Sequence, residues 1–138
     1  MRVAFGTDEV TPVTSAIVAH LEAVGHTVVV TADGAGWPEV GRQVGAAVAR
    51  GAAERGVVCC WTGTGVSIAA NKVRGVRAAL CTDAETARGA RRWNDANVVA
   101  LGLRLTSEEV GREIVDAFLD EGPDPAEADA VRRVEAPG

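Results

Sequence analysis

Five short apolar runs, rich in β-branched residues, recur along the chain, and a stretch with helical spacing separates most neighbours. The runs are Arg2–Gly6, Thr27–Thr31, Gly56–Cys60, Val76–Cys81 and Val98–Leu101. None shows the steady polar–apolar alternation of a strand with one wet face, so each reads as a strand covered on both sides. Such strands, joined by helices, form a parallel sheet, because a parallel crossover needs a dozen or more residues. Right-handed crossovers then give an α/β fold, a Rossmann-like three-layer α/β/α sandwich with a five-stranded parallel sheet. The 25 Ala, 22 Val and 16 Gly, against two Phe and no Tyr, suit thin and closely packed layers.

Punctuation between the strands supports the alternation. Thr11-Pro12 opens a helix whose Val13, Ile17, Leu21 and Val24 share one face, and Gly25 stands where a C-terminal stop belongs. Pro38–Arg55 reads as a second helix, and a third runs from the turn Thr62-Gly63-Thr64-Gly65 through Lys72. Asp83 and Ser107 are N-cap residues for two more. With 138 residues there is room for one domain, residues 1–121, followed by a Pro-, Asp- and Ala-rich tail over 122–138. The tail holds too little apolar surface to fold alone, which suggests a segment ordered on a partner subunit; a solvated basic pair near a loose end is the plain alternative.

Composition excludes several classes. A net charge of −5 opposes sequence-independent binding to nucleic acid or anionic membrane. Two histidines, His20 and His26, leave no multi-histidine metal site, and both read as structural or solvated. Cys59, Cys60 and Cys81 fit neither a disulfide scaffold nor a zinc knuckle, and Cys59 and Cys60 fall on opposite faces of a strand. No apolar run approaches the ~20 residues of a membrane span, and the first ten residues lack a signal-peptide pattern. A cytoplasmic protein without metal or cofactor is expected.

In doubly wound sheets ligands sit beyond the carboxyl ends of the strands. That selects Asp8 and Glu9, the loop Cys60-Trp61-Thr62-Gly63-Thr64-Gly65, Asp83 and Arg104. Backbone N–H groups of a glycine-rich turn at a helix start can hold a phosphate or an oxyanion. The turn lacks GxxxxGK[ST] and GxGxxG, so a nucleotide site has little support, and a plain strand–helix turn is the competing reading.

The stretch from Cys60 to Gly102, with Ser67-Ile68-Ala69-Ala70-Asn71-Lys72-Val73, Arg77-Ala78-Ala79-Leu80-Cys81 and Asn94-Asp95-Ala96-Asn97-Val98, closely resembles the type B ribose-5-phosphate isomerases and the related galactose-6-phosphate isomerase subunits. Weaker matches reach Gly6-Thr7-Asp8, Trp37-Pro38-Glu39, Gly102-Leu103-Arg104 and Arg132-Arg133-Val134. The resemblance implies aldose–ketose isomerisation through a cis-enediolate without metal or organic cofactor, in a homodimer or tetramer whose C-terminal arginines reach the neighbouring site. It implies Cys60 as base, Thr62 as proton-shuttle hydroxyl, and Gly63, Thr64 and Gly65 as the enediolate cradle. Lys72, inside the best-matching string, reads as support for the loop. From the residues alone, Cys60 also reads as a small buried hydrophobe and Thr62 as a turn hydroxyl.

Several positions depart from the resembled pattern, among them Asp129 in place of an arginine of the tail. Glu9 and Trp93 stand where that family keeps active-site histidines, the second being the ring-opening one; Ala130 replaces a histidine of the tail, and Trp61 replaces a loop glycine. An indole N–H donates but does not exchange protons in catalysis. The expected reaction is therefore isomerisation, or epimerisation by the same mechanism, of a sugar or sugar phosphate other than ribose 5-phosphate. An acyclic one fits, with Glu9 as acid–base partner, Asp8 orienting hydroxyls, Asn94 holding the enediolate, Trp61 and Trp93 lining the site, and Arg104 and Arg133 pairing with phosphate. Two other readings use the same residues: a non-catalytic sugar-binding or partner subunit, and a different proton transfer on an unphosphorylated ligand.

Overall fold

The computed structural model describes residues 1–136, without the side chains of residues 30 and 31. Five parallel strands, β1 (Arg2–Thr7), β2 (Thr27–Asp33), β3 (Arg55–Cys60), β4 (Ala78–Leu80) and β5 (Val98–Gly102), lie in the order β2-β1-β3-β5-β4. The expected three-layer sandwich is what the chain forms. One core layer joins α1 (Pro12–Ala23), α4 (Ala84–Asn94) and α5 (Glu108–Asp120) to the sheet through Ile17, Leu21, Ala87, Ile114 and Phe118. The opposite layer holds α2 (Trp37–Ala49) and α3 (Thr64–Asn71) through Val40, Val44, Val66 and Ala70. Cys59 faces the first layer and Cys60 the second, as the twofold period of a strand requires.

Local signals set most boundaries. The Thr11 side chain accepts from the Thr14 N–H to start α1, Asp83 accepts from Thr86, and Ser107 from Val110. The second helix ends at Ala49, short of the expected Arg55. Gly51 adopts φ +78°, its N–H donates to the Val48 carbonyl, and the chain turns away despite the apolar Ala52 and Ala53 that follow.

Two asparagines complete the short edge strand β4. Asn71 accepts from the Ala78 N–H at 2.8 Å and donates to the Ala78 carbonyl at 3.0 Å. Asn97 accepts from the Arg77 N–H at 2.8 Å and donates to the Gly75 carbonyl at 2.9 Å. Beneath them Arg91, fully buried, donates to Asp95 at 2.8 Å and to the Ala96 carbonyl, with its guanidinium 5.8 Å from the Phe118 ring centre. Asp95 caps α4 in the left-handed region at φ +46°.

The tail forms a 3-10 turn (Pro125–Glu127) and a helix, α6 (Ala128–Glu135). An ion pair from Arg77 to Glu135 and the Asp124 N–H on the Arg92 carbonyl at 2.8 Å tie it to the body of its own chain. Of the described helices, none is long and apolar enough to cross a membrane.

Candidate active site

The order β2-β1-β3 places the exits of β1 and β3 side by side where successive crossovers diverge, the point at which doubly wound sheets bind ligands. Thr7 pairs with Cys59 and Cys60 with Gly102, so Asp8, Glu9, the Cys60–Gly65 turn and Arg104 emerge at one edge. The Leu103 N–H donates to the Cys60 carbonyl at 2.9 Å and the Arg104 N–H to the Trp61 carbonyl at 2.8 Å, fastening the two loops together.

Steric limits shape the turn. Gly63 has φ +77°, and a Cβ there would lie 2.6 Å from Leu80 and 2.9 Å from the Gly102 N. A Cβ on Gly102 would lie 2.7 Å from the Thr62 carbonyl. The Gly63 N–H donates to Cys60 Sγ at 3.2 Å, while Thr62 and Thr64 share a hydroxyl hydrogen bond of 2.8 Å. No side chain caps α3, and the first amide of this turn to bond back along the helix is that of Ser67, to the Gly63 carbonyl at 3.2 Å. The N–H groups before it have no carbonyl within the helix and form a cradle for negative charge. Cys60 itself is 5% exposed, at the boundary between this cradle and the α2–α3 core.

Beside the cradle, Asp8 Oδ1 is sealed from solvent and has no hydrogen-bond partner, the single such side-chain atom among the described residues. Desolvation, followed by the nearby Glu9 charge, pushes the Asp8 carboxyl above the usual carboxylate range, against a backbone hydrogen bond that lowers it. A buried acceptor without a donor is costly to fold. Glu9 is exposed, its backbone held by the Thr7 hydroxyl, which donates to the Glu9 carbonyl at 2.7 Å. Burial drives the Cys59 thiol far upward and that of Cys81 to about 11, which leaves both protonated in the core.

Trp93, Asn94 and Arg133 lie elsewhere. Trp93 and Asn94 end α4 just before β5 begins, hence at the amino edge of the sheet, whereas Cys60 stands at its carboxyl edge. They share a cleft of about 670 Å³ with Ala130, Val131 and Val134 of α6. Arg133 rides on α6, 3.5 Å from Asp129. One chain therefore brings together Asp8, Glu9, Cys60 to Gly65 and Arg104, and separates them from Trp93, Asn94 and Arg133. The histidines join neither group: His20 pairs with Asp116 at 2.7 Å, and His26 Nδ1 meets the Met1 amine at 3.2 Å.

Two residues at the turn escape a reading by strand ends. Leu80 closes on Gly63, and the Trp37 indole lies on Gly65, where a Cβ would be 2.9 Å from the ring. The only local sign was a tryptophan opening a helix before proline, within the Trp37-Pro38-Glu39 match.

Thiol, uncapped turn and sealed carboxylate at the switch point define a small-molecule α/β enzyme. The family model described as Ribose/Galactose Isomerase matches residues 3–136, and the chain belongs to that family of sugar-phosphate aldose–ketose isomerases. Ribose-5-phosphate isomerase B of Escherichia coli is 40% identical over 123 residues, covering 86% of this chain and 83% of that protein. D-erythrulose-4-phosphate isomerase of Pectobacterium atrosepticum is 44% identical over 84 residues, 61% of this chain and 55% of that protein. The structure of ribose-5-phosphate isomerase B from Clostridium thermocellum superposes with a TM-score of 0.90 at 35% identity, covering 98% of this chain and 95% of that one.

Proposed function

We propose that the protein isomerises an acyclic, terminally phosphorylated sugar of the four-carbon class by proton transfer through an enediolate. The observation that carries this reading is Trp93 and Glu9, two positions without an imidazole, in a site otherwise equipped for enolisation. A furanose must be opened by a group that takes and returns protons, which an indole does not do. An aldotetrose phosphorylated at C4 has no hydroxyl left to close a five-membered ring. The similarity to a D-erythrulose-4-phosphate isomerase supports the same class.

In the proposed cycle the Cys60 thiolate takes the C2 proton of the aldose, and the electron pair moves onto the carbonyl oxygen to give the cis-enediolate. The N–H groups of the α3 turn hold the negative oxygen. The thiol then returns its proton to C1, while Glu9 passes the hydroxyl proton from O2 to O1. Asp8 orients substrate hydroxyls, Thr62 and Thr64 orient the oxygens, and Trp61 and Arg104 border the phosphate end. A second copy of the chain supplies Trp93, Asn94 and Arg133, which lie at the wrong edge to serve their own site.

Proton NMR in D₂O tests this with D-erythrose 4-phosphate, D-ribose 5-phosphate and D-galactose 6-phosphate. Solvent deuterium enters at C1 and C2 fastest with the tetrose phosphate. Equal or faster exchange with ribose 5-phosphate overturns the acyclic assignment. Tight binding without exchange on any sugar establishes instead a sugar-binding subunit.

A further inference from the structure

Helices α2 and α3 run alongside each other, and their contact has a regular beat. On α2 the contact residues are Trp37, Gly41 and Gly45, spaced by four; opposite them stand Gly65 and Ala69 of α3 and Val73 just past its end, also spaced by four. A Cβ on Gly41 would lie 2.5 Å from that of Ala69 and 2.8 Å from the Ala70 N and the Val66 carbonyl. A Cβ on Gly45 would lie 3.1 Å from Val73. Backbone thus meets side chain and backbone along two positions, and the relative slide of the helices is fixed.

At the third position the pattern inverts. The large residue, Trp37, is on α2, and the glycine is on α3. Gly65 is the second residue of α3, in the first turn, which no side chain caps. The indole rests on it, with Cδ2 and Cε3 both 2.9 Å from where a Cβ would be. Trp37 is 45% exposed, so it contributes less to the core than its size allows. Its contact falls on the cradle.

We infer that Trp37 is a positioning residue: its indole, pressed on Gly65, transmits the locked α2–α3 register to the cradle and fixes the amides that hold the enediolate. The inference rests on the proposed enediolate chemistry but not on the identity of the sugar. It assigns Trp37 no contact with the reacting atoms. Misplacing preorganised donors by a fraction of an ångström weakens transition-state binding more than ground-state binding, so the loss falls on kcat.

The test uses whichever substrate of the sugar-phosphate panel the wild-type protein turns over fastest, so a different sugar preference leaves it intact. Trp37→Ala is expected to lower kcat about 10-fold to 100-fold with KM within about 2-fold, a range typical of small displacements in an active site. Trp37→Phe, which keeps an aromatic face on Gly65, restores most of that loss. Gly65→Ala, which forces a methyl against the indole, loses activity as well. In the Trp37→Ala/Gly65→Ala double variant part of the Gly65→Ala loss is relieved, because the methyl enters space the indole has left. Circular dichroism melts of all four accompany the kinetics. A rise in KM at constant kcat marks a substrate-contacting wall and overturns the inference. So do strictly additive losses in the double variant, or losses that merely follow the melting temperature.

Discussion

The backbone N–H of Gly63 points at the sulfur of Cys60 from 3.2 Å, across a turn that only a left-handed residue closes. This contact ties the candidate base to the cradle, since the amide that anchors the sulfur begins the turn proposed to receive the enediolate. Cys60→Ser keeps the size and the acceptor, but an alkoxide is far less accessible than a thiolate. Turnover and solvent deuterium exchange fall at least ~100-fold, the scale of a lost general base, with the melting temperature little changed.

The three thiols are expected to separate in alkylation. Cys59 is fully buried and its thiol is pushed far up; Cys81 is pushed up to about 11, by burial first and then by Asp83. The thiolate is the reactive form, so iodoacetamide near neutral pH leaves both untouched in the folded protein. Mass spectrometry after tryptic digestion is expected to find label on Cys60 alone, reduced by bound sugar phosphate.

Gly63→Ala meets two penalties together. An alanine at φ +77° is strained, and its Cβ would fall 2.6 Å from Leu80 and 2.9 Å from the Gly102 N. The loss in unfolding free energy is at least ~1–3 kcal/mol, read from urea titration, and the turn moves enough to abolish turnover.

Arg91→Met removes a buried cation from under Phe118 and leaves the Ala96 and Glu121 carbonyls without their donor. Breaking a buried network from one side costs ~3–5 kcal/mol. Asp95→Asn retains an acceptor for Arg91 at the left-handed cap and costs less, which urea titrations of the two variants compare directly.

Asp8 gives a pH signature. Its folded-state carboxyl lies above the usual value, chiefly by desolvation, so its ionisation opposes folding. The protonated form carries no such penalty; the wild type loses this increment as pH rises from the ordinary carboxylate range through the raised folded value. Asp8→Asn removes the titration. The variant is expected to be the more stable at pH 7, with the gap closing as pH falls toward 4 in thermal melts, while activity is lost. A gap that does not change with pH contradicts the assignment.

The strands were legible because continuous apolar runs leave few alternatives, and the cluster of Asp8, Glu9, the turn and Arg104 followed from the rule of strand ends. The end of α2 is hidden in the sequence because Ala52 and Ala53 extend the apolar pattern past Gly51, where the backbone has already left the helix. Trp93 and Asn94 came from the resemblance, and only the sheet direction shows that a residue preceding β5 stands at the edge opposite Cys60. Trp37 on Gly65 and Leu80 on Gly63 are long-range contacts between residues of unremarkable local pattern, beyond what spacing records.

Asn71 and Asn97 each offer one carbonyl and one amide to the backbone, serving as surrogate peptide groups where the ladder of β4 runs out. Asn71 and Asn97, inside the most recognisable strings of this chain, are therefore masonry for the edge strand. Redesign can proceed accordingly. Residues 9, 61 and 93 are the ones to randomise for a new substrate, whereas a carboxylate-for-amide exchange at 71 or 97 would bring down the wall before it changed the door.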